Sequence, residues 1–312
     1  MASSWSSGYN YRLINAGEIE NKGIEIALNT RLIQTKDFSW DLNLNFSKNQ
    51  NKVKELVDGV DMFELEKASW LDVQVAAKVG ENYGSIIGPD FQRNENGDIL
   101  IDPSTGLPMY DKSSHILGNA SWDWTGGLVT TLAYKNLSLS AVFDVKVGAD
   151  LYSMSARSAY ESGKALETLQ GREEWYRSEE QRKAAGFPKG SPDWKPTGGF
   201  IAPGVIDNGD GTYRPNDIYI NPEDYWMSVC RNAPSMFIYD NSYVKCRELT
   251  LTYQFPKKLL KNVVDNLTIS FVARNPFIVY KNIPNIDPAV TLLFRPIPFL
   301  AVPLYQPQCV AI

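Results

Sequence analysis

Apolar and polar residues alternate from Phe38 to Ser47: Phe38, Trp40, Leu42, Leu44 and Phe46 fall on one face, Ser39, Asp41, Asn43, Asn45 and Ser47 on the other. A period of two marks a strand, because successive side chains project to opposite faces of a sheet. Five further runs repeat it. Ile24, Ile26 and Leu28 follow a polar turn region over Asn15–Gly23, and Leu128, Thr130, Leu132 and Tyr134 precede Leu137, Leu139, Ala141, Phe143, Val145 and Val147. In the run from Tyr243, Lys245, Arg247, Leu249, Leu251, Tyr253 and Phe255 are expected on one face, with Val244, Cys246, Glu248, Thr250, Thr252 and Gln254 opposite. In the last run Leu267, Ile269, Phe271 and Ala273 oppose Thr268, Ser270, Val272 and Arg274.

The better runs are about ten residues long, with one apolar and one polar face and aromatics at their ends, as a tilted strand that crosses a bilayer requires. Strands of a soluble β-sandwich alternate too, so pattern alone leaves both architectures open. The connections add a rule. Thr35–Asp37 and Lys135–Asn136 are short, and Pro256–Asn266 reads as a turn or helical segment that buries Leu259, Leu260, Val263 and Val264. Lys48–Ser121 and Gly148–Ile238 are long. In an outer-membrane barrel short turns face the periplasm and long loops face outside. The alternation fits that scheme if Lys48–Ser121 contributes an even number of crossings.

The long connections have their own chemistry. Asp90–Asp111 holds the turn sequences Asn96-Gly97-Asp98 and Asp102-Pro103-Ser104-Thr105-Gly106 around Ile99-Leu100-Ile101, a hairpin pattern. Asp207-Asn208-Gly209-Asp210-Gly211 reads as a turn as well. Neither lays out the alternating ligands and distant Glu of a calcium loop. Leu151–Ala185 is rich in helix formers, with Glu173/Arg177 and Glu179/Lys183 at helical pair spacing. Trp175, Tyr176, Trp194, Tyr225 and Trp226 lie in this excursion and are the candidate substrate-binding residues, since such rings stack on sugar faces or pack on peptides. Ordinary loop packing is the competing role for each.

Aromatics make up 12% of the chain, with 16 Tyr and 8 Trp, which suits interfacial girdles or stacking surfaces. A net charge of -5 without a basic stripe gives no footprint for nucleic acid. Cys230, Cys246 and Cys309 are too few and too irregularly spaced for a disulfide framework or a metal cage. The single histidine, His115, reads as a polar strand-end residue and removes His-based triads from consideration. The acidic residues offer no privileged pair for glycoside hydrolysis. No cofactor, metal site or enzymatic activity is expected. The chain has no run of 18 apolar residues and no signal-peptide pattern at Met1–Tyr11. Asn45-Phe46-Ser47 and Asn136-Leu137-Ser138 match glycosylation acceptors by chance, because they lie in or against strands.

Four pieces of sequence then stand out in order: Asn21-Lys22-Gly23-Ile24-Glu25; Ile116-Leu117-Gly118-Asn119 with Trp124-Thr125-Gly126-Gly127; Tyr134-Lys135-Asn136-Leu137 leading to Gly148-Ala149-Asp150; and Arg247–Leu260 followed by Arg274-Asn275-Pro276-Phe277 and Asp287-Pro288. Together they resemble the C-terminal barrel region of SusC/RagA-type TonB-dependent outer-membrane transporters. The resemblance implies an all-β fold of antiparallel transmembrane β-barrel strands with long extracellular loops, one of them partly helical. On this reading residues 1–288 are the C-terminal part of the barrel, and residues 148–238 are an extracellular excursion, helical at 151–185. Residues 289–312, broken by Pro296, Pro298, Pro303 and Pro307, form an atypical tail without a recognisable last strand. The implied function is import of glycan oligosaccharides or peptides across the bacterial outer membrane. The implied partners are outer-membrane lipid, a SusD-like surface lipoprotein, and the TonB complex acting through an N-terminal plug-bearing part that is not recognisable here. Such barrels close with roughly 22 strands. Six clear strands and a hairpin do not close one, and their bare edges predict misassembly in isolation. A secreted β-rich glycan-binding module is the alternative.

Overall fold

In the computed structural model, which describes residues 17–67, 72–260, 264–284 and 286–289, the six alternating runs pair in one antiparallel sheet. β1 (Gly17–Gln34) and β2 (Phe38–Leu56) form a long hairpin closed at Thr35–Asp37. The chain leaves through β3 (Met62–Lys67), β4 (Gln74–Lys78), β5 (Ser85–Phe91) and β6 (Tyr110–Asn119), a separate four-stranded sheet, and returns as β7 (Trp124–Tyr134), which pairs directly with β2. β8 (Leu137–Val147) follows a two-residue turn in which Lys135 adopts a left-handed φ of 53°. A second excursion holds the short strands β9 (Asp150–Tyr152), β10 (Phe200–Ile201), β11 (Val205–Asp207), β12 (Tyr213–Pro215), β13 (Tyr219–Ile220) and β14 (Ile238–Asp240). It also holds the helices α1 (Met154–Glu161), α2 (Arg172–Ala184) and α3 (Pro222–Asn232). β15 (Tyr243–Gln254) and β16 (Thr268–Lys281) complete the order β1-β2-β7-β8-β15-β16.

Both long excursions leave from one end of this sheet and the short turns close the other. The parity required of Lys48–Ser121 is met with no crossing at all. Register aligns the apolar positions across the sheet: Leu28, Leu44, Leu128, Phe143, Cys246 and Phe277 form one row over all six strands, and Phe38, Tyr134, Leu137, Tyr253 and Ile269 another over five strands at the turn end. Much of this face is exposed, although Cys246 and Ala141 are buried between larger neighbours. Ile24 is 63% and Phe271 71% exposed. The opposite face carries polar pairs, including Arg31 with Asp41 at 2.6 Å and Thr131 with Ser140 at 3.1 Å.

Three details correct the sequence reading. Strand β1 starts at Gly17, so most of the expected turn over Asn15–Gly23 is strand; its polar residues pair with the equally polar upper half of β2, where Glu20 binds Lys54 at 2.6 Å. In β15 a bulge at Arg247 breaks the alternation. Lys245 lies opposite Asp144 and Cys246 opposite Phe143, which puts Lys245 on the polar face and Cys246 on the apolar one. The Pro256–Asn266 connection does not bury its apolar residues: Leu259 is 66% exposed, and Val264 is exposed as well, at the open end of a sheet. Val263 and residues 290–312, the bulk of the expected tail, lie outside the described residues.

The buried core sits in the excursions, not under the six-stranded sheet. One cluster gathers Phe91, Ile101, Phe200, Ile206, Ile220 and Val229; a second joins Val73, Ile86, Tyr152 and Phe237. Each draws on both excursions, which therefore fold as one body. Leu100 bridges Val205 in parallel, and Tyr110 Oη lies 2.8 Å from Ser228 Oγ. The Asp102 turn forms as read: its carboxylate accepts from Ser104 and Thr105. Among the described residues no helix is long and apolar enough to cross a membrane, which says nothing of strands.

Candidate functional site

Helix α2 begins where Gly171, at φ 80°, lets the chain turn back against Gly199 and Phe200. Arg172 locks this start. Its Nε donates to the Thr168 carbonyl at 2.7 Å, and its Nη2 donates to the Gly163 carbonyl at 2.9 Å and Thr168 Oγ1 at 2.6 Å. Helix α1 is capped by Ser153, which accepts from the Ala156 N–H, and ends with Tyr160 and Glu161 facing α2. Asn221 caps α3 by accepting from the Glu223 N–H, with Pro222 in the first turn. These three starts and ends enclose a cleft of about 230 Å³ lined by Tyr160, Trp175, Tyr176 and Trp226. An open groove of about 720 Å³ adjoins it, bounded by the Ser104–Leu107 turn and the outer face of α3.

Three of the five candidate aromatics thus meet in one cleft, and Trp175 also lines the groove. Trp226 is mostly buried there, its ring 4.7 Å from that of Tyr160. Tyr225 points the other way, 3% exposed in the core and 4.5 Å from Phe200. Trp194 packs on Phe187 at 5.7 Å, and its indole N–H is enclosed without an acceptor. Sequence reading missed Tyr160 and Asn221, because only the fold brings α1 and the α3 cap to α2. Burial pushes the phenols of Tyr160 and Tyr225 up to about 12, so both stay neutral donors. It also raises the Asp224 carboxyl on the groove wall, with Glu223 beside it adding to the effect. The helical pairing changes partner: Glu173 meets Arg177 at 3.3 Å, whereas Glu179 pairs with Arg182 at 2.9 Å rather than with Lys183.

A second cluster forms the neck where the excursions join the sheet. Arg247 binds Asp144, Tyr243 Oη donates to the same Asp144 oxygen at 3.0 Å, and Arg247 Nη1 reaches Asn275 Oδ1 at 3.4 Å. Buried Lys245 holds Asp287 at 2.6 Å, and Asn241 Nδ2 donates to the Pro288 carbonyl at 3.2 Å. Trp122 stands edge-on to Tyr243 at 5.9 Å. Gly148 has φ 89°, its N–H donates to Ser242 Oγ at 3.0 Å, and a Cβ there would overlap the Asp123 carboxylate. The Asn119 N–H donates to Asp150 Oδ2 at 2.9 Å. Asn119, Gly148, Asp150, Arg247, Asn275, Asp287 and Pro288, separate in sequence, are neighbours here; they belong to the pieces that carried the family resemblance. His115 sits on β6 beside Asp111 at 3.0 Å, a polar strand residue. Among the described residues no group of three or more His, Cys, Asp or Glu side chains gathers to hold a metal ion.

A six-stranded antiparallel sheet with one largely exposed apolar face, its loops gathered at one end, defines the class: a portion of an outer-membrane-type barrel. No protein-family model matches the chain. Curated relatives do. TonB-dependent receptor P3 of Formosa agariphila is 24% identical over 303 residues, covering 90% of this chain and 26% of that protein. The TonB-dependent receptor SusC of Bacteroides thetaiotaomicron is 29% identical over 137 residues, 40% of this chain and 14% of its own length. In fold, the chain matches the solved RagAB peptide transporter with a TM-score of 0.54 at 18% identity, over 89% of this chain and 28% of that one. The chain spans about a quarter of the length of the P3 receptor. The likeness to SusC/RagA-type TonB-dependent transporters is thereby borne out in sequence and in fold. The relatives are receptors and transporters by name, not enzymes.

Proposed function

We propose that this chain is the C-terminal barrel part, residues 1–288, of a TonB-dependent transporter that imports oligosaccharides or peptides across the bacterial outer membrane. Residues 148–238 are its extracellular excursion, facing substrate and a SusD-like surface lipoprotein. The TonB complex acts through a part of the parent outside this chain. The observation that carries the reading is the apolar face continuous over six strands, which lipid satisfies and water does not. A secreted glycan-binding module would have to present Ile24, Ile26 and Phe271 to solvent. The TonB-dependent receptors among the relatives support transport, and the RagAB peptide transporter supplies a peptide precedent.

Deleting Leu151–Ala185 from the full-length parent tests this. Uptake and capture of the lipoprotein are expected to fall while barrel insertion persists. Unchanged uptake and capture would contradict the role given to the excursion. Recovery of the native protein in the soluble fraction without detergent would contradict transport altogether.

A further inference from the structure

The excursion body meets the sheet at two places. On the β2 side backbone bonds hold it: the Val53 N–H donates to the Glu81 carbonyl at 2.9 Å, and the Gly80 N–H donates to the Val53 carbonyl at 2.9 Å. Val53 is buried there. On the β15 side the chain bends. The ladder of β8 with β15 runs to Lys146 opposite Tyr243, and it resumes as β9 with β14 at Asp150 opposite Asp240. Between them Val147, Gly148 and Ala149 stand against only Asn241 and Ser242, and Gly148 at φ 89° takes up the difference. β2 and β15 lie three strand spacings apart, about 14 Å. A line of backbone bonds on one side and a bend on the other is a pivot with an edge that has to be held.

The segment after β16 holds that edge. Residues 282–284 and 286–289 turn back over the polar face of the sheet, which the membrane reading makes the lumen side. The Asn282 N–H donates to the Ser242 carbonyl inside the bend at 3.1 Å, and Asn282 Nδ2 donates to Asp240 Oδ2 on β14 at 2.5 Å. Asn241 Nδ2 donates from the bend to the Pro288 carbonyl at 3.2 Å. Ile283 is buried, and Lys281 Nζ on β16 donates to the Ile286 carbonyl at 2.8 Å. Charge holds the wall end: buried Lys245 of β15 binds Asp287 Oδ2 at 2.6 Å, and Asp287 Oδ1 accepts from the Ala289 N–H at 2.9 Å. An ammonium so buried depends on its carboxylate, because losing one partner leaves the other charge uncompensated.

We propose that this segment is a strap that locks the bend, with Lys245 as its positioning residue. Through Asp287, Lys245 holds the strap against Asp240, Asn241 and Ser242, and so fixes the pose of the excursion body over the lumen mouth. With the latch open, the body tilts about its β2 attachment. The inference rests on the membrane reading only for which side is the lumen.

The test is the distance between two nitroxide labels in the reconstituted full-length parent, one at Lys183 on α2 and one at Leu137 at the turn end of β8, both exposed. Accessible cysteines are first replaced by serine. With the latch intact, pulsed electron resonance should give one narrow distance distribution. Lys245→Met and Asp287→Asn should each broaden it about twofold. Asp287→Glu, which keeps the charge, should leave it narrow. Arg31→Met, which breaks the Arg31–Asp41 pair on the same face at the turn end, should leave it narrow too. A narrow distribution in both Lys245→Met and Asp287→Asn would overturn the strap. Equal broadening in Arg31→Met would overturn it as well, as a general softening of the sheet. If Lys245→Met fails to insert, Asp287→Asn, at the more exposed end of the pair, decides alone. A failed strap leaves the transport reading standing, since loop deletion and membrane recovery test that reading separately.

Discussion

Arg247 on β15 grips Asp144 on β8, with Nη2 at 2.5 Å and Nε at 3.0 Å from the same carboxylate oxygen. The contact exists because Arg247 is the bulged residue: the extra residue turns Lys245 and Tyr243 to the polar face and lets the guanidinium reach Asp144 and Asn275 together. Asn275, at φ 49°, is passed over in the register of β16 at the same level. We expect Arg247→Ala to cost the parent about 2 kcal/mol, the worth of hydrogen bonds to a charged group at a partly exposed site. Lysine should restore less than half, since it lacks the planar fork. Denaturant midpoints in detergent measure this, and the Arg247/Asp144 double variant should cost less than the sum of the singles. Strict additivity would mean the pair is not coupled.

Gly148 is held by backbone geometry and by space together. Alanine there meets a left-handed φ, worth about 1–2 kcal/mol, plus overlap with Asp123. Gly209 has a similar φ of 80° but open surroundings. Thermal unfolding should therefore fall further for Gly148→Ala than for Gly209→Ala, and equal losses would show that the neck is slack.

The excursion aromatics divide into core and surface. Tyr225→Ala removes a ring buried against Phe200 and should destabilise the loop body by about 3–5 kcal/mol, as for large aromatic truncations in cores. Tyr176, 67% exposed, should cost under about 0.5 kcal/mol as alanine. Limited proteolysis of the loops reports both, and a reversed ranking would mean the packing is misassigned.

Acid should loosen α2. The Arg182 guanidinium beside Glu179 holds its carboxyl below the ordinary Glu range, so this pair stabilises the fold above about pH 4.3 and is lost as pH falls through the depressed value. The protection factors of the α2 amides, exchange rates corrected for the intrinsic pH dependence of exchange, should fall between neutral and strongly acid pH, and Glu179→Gln should flatten that fall. An unchanged profile in the variant would refute the linkage.

All six membrane-type strands were legible in the sequence because a half-buried strand writes its two faces into alternate positions, as Phe38–Ser47 does. Short connections such as Lys135–Asn136 were legible for the same reason. The bulge was not: Tyr-Val-Lys-Cys-Arg-Glu-Leu alternates formally, and only the Asp144 partner on another strand reveals which residue is extra. The polar start of β1 read as a turn because its partner, the upper half of β2, is polar too. Within the candidate site, Trp175, Tyr176 and Trp226 were visible by residue type. Tyr225 and Trp194 looked the same but pack inward, Tyr225 on the face of α3 that meets the core and Trp194 in a loop against Phe187.

Spin-label accessibility in the reconstituted full-length parent tests the membrane reading most directly. Labels at Leu251 and Phe271, a cross-strand pair on the apolar face, should relax with lipid-soluble oxygen; labels at Thr252 and Ser270, the next cross-strand pair on the polar face, should relax with an aqueous nickel chelate. That alternation is the predicted result. Aqueous access at all four positions would contradict it and place the sheet in water.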